Sequence, residues 1–190
     1  MLNDPTVVAV MKALNAESIP FMVVGSLSSN VYGIPRSTHD ADLVIELGGR
    51  SLMAIQKHLP AGFKLDPQIR FESVTATKRN LIHIENDAFT IELFRLSDDA
   101  HDQERFRRRI AVDIDGCQAF LPRAEDVVIT KLRWNGYLRR TKDFSDIVQV
   151  LQVQAGKLDW DYLNHWAAIH GTKSVLDEAQ QAAVEASTGS

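Results

Sequence analysis

Hydrophobic positions along the first 120 residues switch between two periods. Val7, Val8, Met11 and Leu14 recur at helical spacing, and Asp4-Pro5 supplies a cap and a first helical position, so a helix is predicted through about Glu17. An apolar run, Phe21 to Val24, then reads as a strand, a short helix spans Leu27 to Tyr32, and a second strand covers 40 to 46. Ser51 to Leu59 places Leu52, Ile55 and Leu59 at core spacing for another helix. Strands are expected at Ile69 to Val74, Leu81 to Glu85 and Phe89 to Phe94, the last two around an Asn86-Asp87 turn. Ile110 to Leu121 breaks at Asp115-Gly116, a strong hairpin signal.

Beyond Pro122 only the helical period remains, at roughly 123–136, 142–154, 159–169 and 172–186. The pattern predicts an α+β fold: a core over residues 1–122 with a mixed sheet flanked by helices, a C-terminal helical region over 123–186, and an unstructured tail over 187–190. No internal repeat or low-complexity tract interrupts it.

The candidate chemistry lies on the second strand. Strand side chains alternate faces, so Asp40 and Asp42 point one way while Ala41 and Leu43 point into the protein. Two converging carboxylates repel each other unless a cation intervenes. Mg²⁺ is such a cation, favouring carboxylate oxygens together with substrate phosphates. Upstream, Gly25 permits close approach of backbone to a ligand, and Ser26 stands where a helix begins, with N–H groups and a hydroxyl to face a phosphate. One half of this pattern binds a phosphate tail and the other a metal, the parts needed to hold a metal-bound nucleoside triphosphate (NTP).

Gly25-Ser26, about a dozen residues, then Tyr32-Gly33-x-x-Arg36-x-Thr38-x-Asp40-x-Asp42-Leu43 resembles the signature of the nucleotidyltransferase (polymerase beta-like) superfamily, and within it the small bacterial AbiEii-toxin-related and uncharacterised nucleotidyltransferase families. The resemblance covers roughly residues 20 to 150. It implies a nucleotidyltransferase-type sheet and a third carboxylate from a neighbouring strand, for which Glu92 in Thr90-Ile91-Glu92-Leu93-Phe94 is the candidate, where many relatives carry Asp. Taken alone, Glu92 also reads as a solvent-facing strand residue. Catalysis and metal binding are thus expected of Asp40, Asp42 and Glu92, and phosphate contact of Gly25 and Ser26.

Two cations extend the phosphate set. Arg36 precedes the metal strand and either reaches the triphosphate or makes a structural salt bridge. Lys131, in the block Leu121 to Leu132 that resembles the helix following the catalytic sheet, lies on the packing side of its helix and either snorkels outward or meets phosphates. Glu125 and Asp126 suit a first helical turn, where negative charge complements the helix dipole. In the matching run Arg139 to Ile147, Asp143 and Asp146 share a face and Lys142 stands at i, i+4 to Asp146, which suggests bracing first and a substrate or base role second.

The resemblance implies transfer of NMP from an NTP, with Mg²⁺, to an acceptor hydroxyl on tRNA, a protein or a small molecule, and some relatives are toxins neutralised by an antitoxin partner. The rival reading is a non-catalytic nucleotide-binding or interaction module that retains the fold without turnover.

Bulk properties narrow the classes. A formal net charge of -4 argues against coating nucleic acid by bulk electrostatics. Arg105 to Arg109 reads as a basic rim for RNA or nucleotide phosphates or, with acids at Asp98, Asp99, Asp102 and Glu104 alongside, as an ordinary solvated charged face, the commoner case. The single cysteine, Cys117, excludes an intrachain disulfide and a cysteine-based zinc site. His39 and His83 have no neighbours suggesting a triad, and Trp160, Tyr162 and Trp166 recur at spacings that fit core filling on a helix by default, with base stacking as the second reading. With no 18-residue apolar run and no basic stretch leading an apolar one at the amino terminus, a soluble, cytoplasmic protein with no membrane partner is expected.

Overall fold

The computed structural model describes residues 2–72, 77–138 and 140–188. These fall into two compact units, one within Met1–Leu27 and Ser37–Pro122, the other within Ser28–Arg36 and Arg123–Ser190. Division of the chain is therefore not a single cut, because a short early segment belongs with the late helices.

The first unit is built on a six-stranded mixed sheet. Its strands are β1 (Phe21–Val24), β2 (Asp40–Ile45), β3 (Phe63–Leu65), β4 (Arg70–Glu72), β5 (Thr77–Ile84) and β6 (Thr90–Arg95), in the order β1-β2-β6-β5-β3 with β4 also paired to β5. Only β2 and β6 run parallel; the other pairings are antiparallel. Helix α1 (Pro5–Ala16) is opened by Asp4, whose carboxylate accepts from the Thr6 N–H at 2.8 Å. Its apolar stripe packs on one sheet face, where Phe21, Val23, Ala41, Leu43, Ile45, Ile91 and Leu93 are all buried. The hairpin of β7 (Ile110–Ile114) and β8 (Cys117–Leu121) joins the same core. Its Asp115-Gly116 turn has positive φ at both residues, +51° and +71°, the combination for which this dipeptide is selected.

The opposite face carries a smaller apolar cluster, Met22, Val24, Val44 and Phe106 with Phe94 and Leu96 against it. Phe106 comes from α3 (Ala100–Arg107), a helix that the charged sequence 98–109 gave no periodic reason to expect. Asp99 caps it, accepting from the N–H groups of His101 and Asp102 at 3.0 and 3.1 Å. Its basic residues pair with its own acids, Arg105 with Asp102 and Arg107 with Glu104.

Other departures are local. The segment expected to be helical from Ser51 to Leu59 forms a 3₁₀ helix, Leu52–His58, and its Leu52 and Ile55 reach the core. The three-residue β3 was not expected, and β5 starts four residues earlier than its predicted strand. Of the strand expected over Ile69 to Val74, Arg70–Glu72 is formed and residues 73–74 lie outside the described set.

In the second unit, α4 (Ala124–Leu138), α5 (Thr141–Val153), α6 (Trp160–Ile169) and α7 (Lys173–Thr188) enclose a core of Val127, Val128, Leu132, Ile147, Val150, Leu163 and Leu176. Tyr32, from the short helix α2 (Gly25–Tyr32), packs against that core. Helix α7 runs two residues into the stretch expected as tail, and residues 189–190 are outside the described set. Among the described residues no helix is long and apolar enough to cross a membrane.

Candidate active site on the sheet face

Sheet register brings the predicted carboxylates together. Asp42 lies opposite Glu92 across the parallel β2–β6 pair, and Asp40 lies opposite Thr90. Strands in a sheet are about 4.8 Å apart, so Asp42 and Glu92 are immediate neighbours, and Asp40 shares their face two residues away. This is the face of Val44 and Phe94, opposite the main core, and all three acids are partly exposed. Thr38 fixes the first of them, its hydroxyl donating to Asp40 Oδ1 at 2.7 Å.

Gly25 completes the cradle. Val24 pairs with Asp42 on the antiparallel side, and the chain turns into α2 at Gly25 with φ +63°. A Cβ at this position would stand 2.0 Å from Asp42 Oδ2. The absent side chain thus lets a carboxylate oxygen approach the start of a helix, where backbone N–H groups are unpaired by the helix itself. Ser26, next in sequence, is buried there. Gly25→Ala meets both obstacles, the left-handed backbone and the Asp42 oxygen, whereas Gly49→Ala meets only the first, since nothing lies within 4 Å of its Cβ at φ +84°. Gly49→Ala is expected to lose about 1–2 kcal/mol from the backbone alone. Gly25→Ala is expected to lose more in thermal denaturation, and to weaken Mn²⁺ binding, which Gly49→Ala leaves unchanged.

Glu92 has a partner that sequence reasoning missed. The Arg79 guanidinium donates from Nη1 to Glu92 Oε2 at 2.6 Å. Arg79 lies opposite Phe94 in the β5–β6 register, two rows along from the Leu81–Glu92 pair and on the same face, and its guanidinium sits 5.7 Å from the Phe94 ring centroid. An acid and an arginine two rows apart on antiparallel strands were the available signal, but it required knowing the register.

The two cations predicted for the phosphate set meet in the second unit. Arg36 clasps Asp146 with two hydrogen bonds of 3.1 Å, from Nε to Oδ1 and from Nη2 to Oδ2. Lys131, only 3% exposed, directs its ammonium at Asp143 Oδ1 (2.8 Å) and Asp146 Oδ2 (2.9 Å). Two positive and two negative charges therefore balance, and Lys142, the neighbour expected for Asp146, is exposed instead. Burial pushes the Asp146 carboxyl up, but the Arg36 hydrogen bonds and the Lys131 charge outweigh it and hold it below the usual range. Asn30 clamps the same segment, its side chain bonding the Arg36 carbonyl (2.7 Å) and N–H (3.2 Å). Lys131 and Arg36 thus have the geometry of braces.

Glu125 and Asp126 also do more than complement a dipole. Glu125 accepts from the Asp159 N–H at 3.0 Å, and the fully buried Asp126 accepts from the Tyr162 hydroxyl at 2.6 Å. These bonds tie the start of α4 to the start of α6. Trp160 and Trp166 are partly buried against the helical core, and Trp166 packs edge-on to Tyr162 and stacks on His170.

Solved structures place the fold. The chain is similar to ANT(2″)-Ia in complex with adenylyl-2″-tobramycin, with a TM-score of 0.56 at 11% identity, covering 87% of this chain and 95% of that one. It is similar to a protein from H. pylori assigned as a nucleotidyltransferase (TM-score 0.53, 15% identity, 99% and 96% covered). An antigenic nucleotidyltransferase-like protein from Paracoccidioides brasiliensis matches comparably (TM-score 0.53, 16% identity, 93% and 90% covered). No curated protein matches the sequence. At these identities the likeness speaks for the fold, a mixed sheet flanked by helices with a helical region after it. The sequence itself supplies the family: its residues 6–187 match the model for "Nucleotidyltransferase of unknown function (DUF6036)", and the chain belongs to that family.

Proposed function

We propose that this nucleotidyltransferase moves NMP from an NTP to an acceptor hydroxyl in a divalent-metal-dependent reaction centred on Asp40, Asp42 and Glu92. The observation that carries this reading is the Asp42–Glu92 register beside Gly25, whose missing Cβ leaves room for the Asp42 oxygen. The donor set fits a hard cation: carboxylate oxygens on one face, two of them on adjacent strands where their mutual repulsion favours a cation between them. Mg²⁺ held there would neutralise charge at the α-phosphate and lower the pKa of the attacking hydroxyl.

The chain's own residues supply placement. Thr38 holds Asp40 in one orientation, and Arg79 holds Glu92. Gly25 and Ser26, at the amino end of α2, present backbone N–H groups toward the outer phosphates. In-line attack on the α-phosphate then expels pyrophosphate, and positioning supplies most of the rate without a covalent intermediate. Arg36 and Lys131 act in this reading as braces of the helical unit.

A small-molecule hydroxyl is the first acceptor to test, because ANT(2″)-Ia, a similar fold, was solved with an adenylylated aminoglycoside. Each of the four α-labelled NTPs, with Mg²⁺, should be offered aminoglycosides, total tRNA and lysate protein in turn. Label transfer with pyrophosphate release, abolished by EDTA, is the expected result. Metal-dependent NTP binding with no pyrophosphate release from any combination would instead favour the non-catalytic module.

A further inference from the structure

The third carboxylate is not idle in this structure. Glu92 and Arg79 form a 2.6 Å ion pair whose side chains are 19% and 25% exposed, so it is largely shielded from water. Such a bond is stronger than a surface pair, because the surrounding protein screens it less. The guanidinium is also held from a second side by the Phe94 ring. Register accounts for the encounter: Arg79 is cross-strand from Phe94, and Glu92 is two residues before Phe94 on the same strand and face. A glutamate reaches diagonally to the next row where an aspartate, one methylene shorter, reaches less far.

We propose that Arg79 is the resident counter-ion of Glu92, holding the third carboxylate in place and being displaced from it when a divalent cation binds. This rests on the metal-site reading above. Asp42 and Glu92 stand opposite each other on adjacent strands as like charges. Arg79 relieves that repulsion at one of them. The same contact opposes metal binding, since a cation drawing on Glu92 must compete with a charge already there. Arg79 is therefore a positioning residue whose removal tightens, rather than weakens, the binding of metal alone.

The test measures Mn²⁺ affinity of the nucleotide-free full chain by electron paramagnetic resonance, Mn²⁺ sharing the oxygen-rich octahedral preference of Mg²⁺. Arg79→Gln is expected to bind Mn²⁺ roughly tenfold tighter than wild type, as a charge-assisted hydrogen bond between largely covered groups contributes on the order of one such factor. Its melting temperature should fall without metal and be raised by Mn²⁺ more than that of wild type. Arg79→Lys, which keeps the charge, should stay within about threefold of wild type and covers the case in which Arg79→Gln fails to fold: a tightening in Arg79→Lys as large as tenfold overturns the proposal. Unchanged or weaker Mn²⁺ binding by folded Arg79→Gln, with wild-type binding intact and lost in Asp42→Asn, overturns the counter-ion role while leaving the metal site standing. Absence of Mn²⁺ binding in wild type overturns both.

Discussion

Asp42→Asn is expected to lower kcat/KM for nucleotidyl transfer by about 10³-fold or more while leaving the melting temperature unchanged or raised. The rate loss follows from position: Asp42 is the acid flanked on one side by Glu92 and on the other by the turn at Gly25. Removing one charge-stabilising group from a shielded site costs about 10²–10³-fold in related cases, and loss of a metal ligand adds to that. The stability gain follows from the same position, since asparagine fills the same volume but no longer repels Glu92. An active site commonly trades stability for chemistry in this way. Kinetics and thermal denaturation of the one variant therefore test the assignment from both sides. A variant that melts several degrees lower and still transfers label at the wild-type rate would make Asp42 structural.

How much of this could be read beforehand depends on how local each feature is. Asp40-Ala41-Asp42-Leu43 declares its own alternation, and the structure shows Ala41 and Leu43 buried with both acids partly exposed. Asp115-Gly116 specifies its turn within two residues. Helix α3, by contrast, has Phe106 as its one large apolar residue, so no stripe announces it, although Asp99 as a cap was available. Ion pairs between residues distant in sequence are less legible still. Arg79 and Glu92 are 13 residues apart and meet only through the β5–β6 register. Arg36 and Asp146 are 110 residues apart, and their pair wins over the local Lys142–Asp146 option because Asp146 is buried and Lys142 is not. Sequence spacing ranks neighbours on one element; it does not rank them against partners delivered by tertiary packing.

That ranking gives Lys131 its sharpest test. Lys131→Met removes an ammonium buried between Asp143 and Asp146. Asp146 retains Arg36, but the only ion pair of Asp143 among those described is the one lost, and Asp143 is itself buried. Breaking a buried pair from one side costs about 3–5 kcal/mol, a large share of the roughly 5–15 kcal/mol that holds a domain together. A fall in melting temperature of about 10 °C or more is expected. Replacing both partners, Lys131→Met with Asp143→Leu, removes the orphaned charge and should recover most of that loss, because a well-packed apolar pair substitutes for a buried ion pair at little net cost. The double variant then separates the two roles open to Lys131 from its sequence. If the lysine braces α4 against α5, NTP affinity in the rescued protein stays within a few-fold of wild type. If its ammonium serves a phosphate during binding, stability returns and NTP affinity does not, falling about tenfold or more for the lost charge-assisted contact.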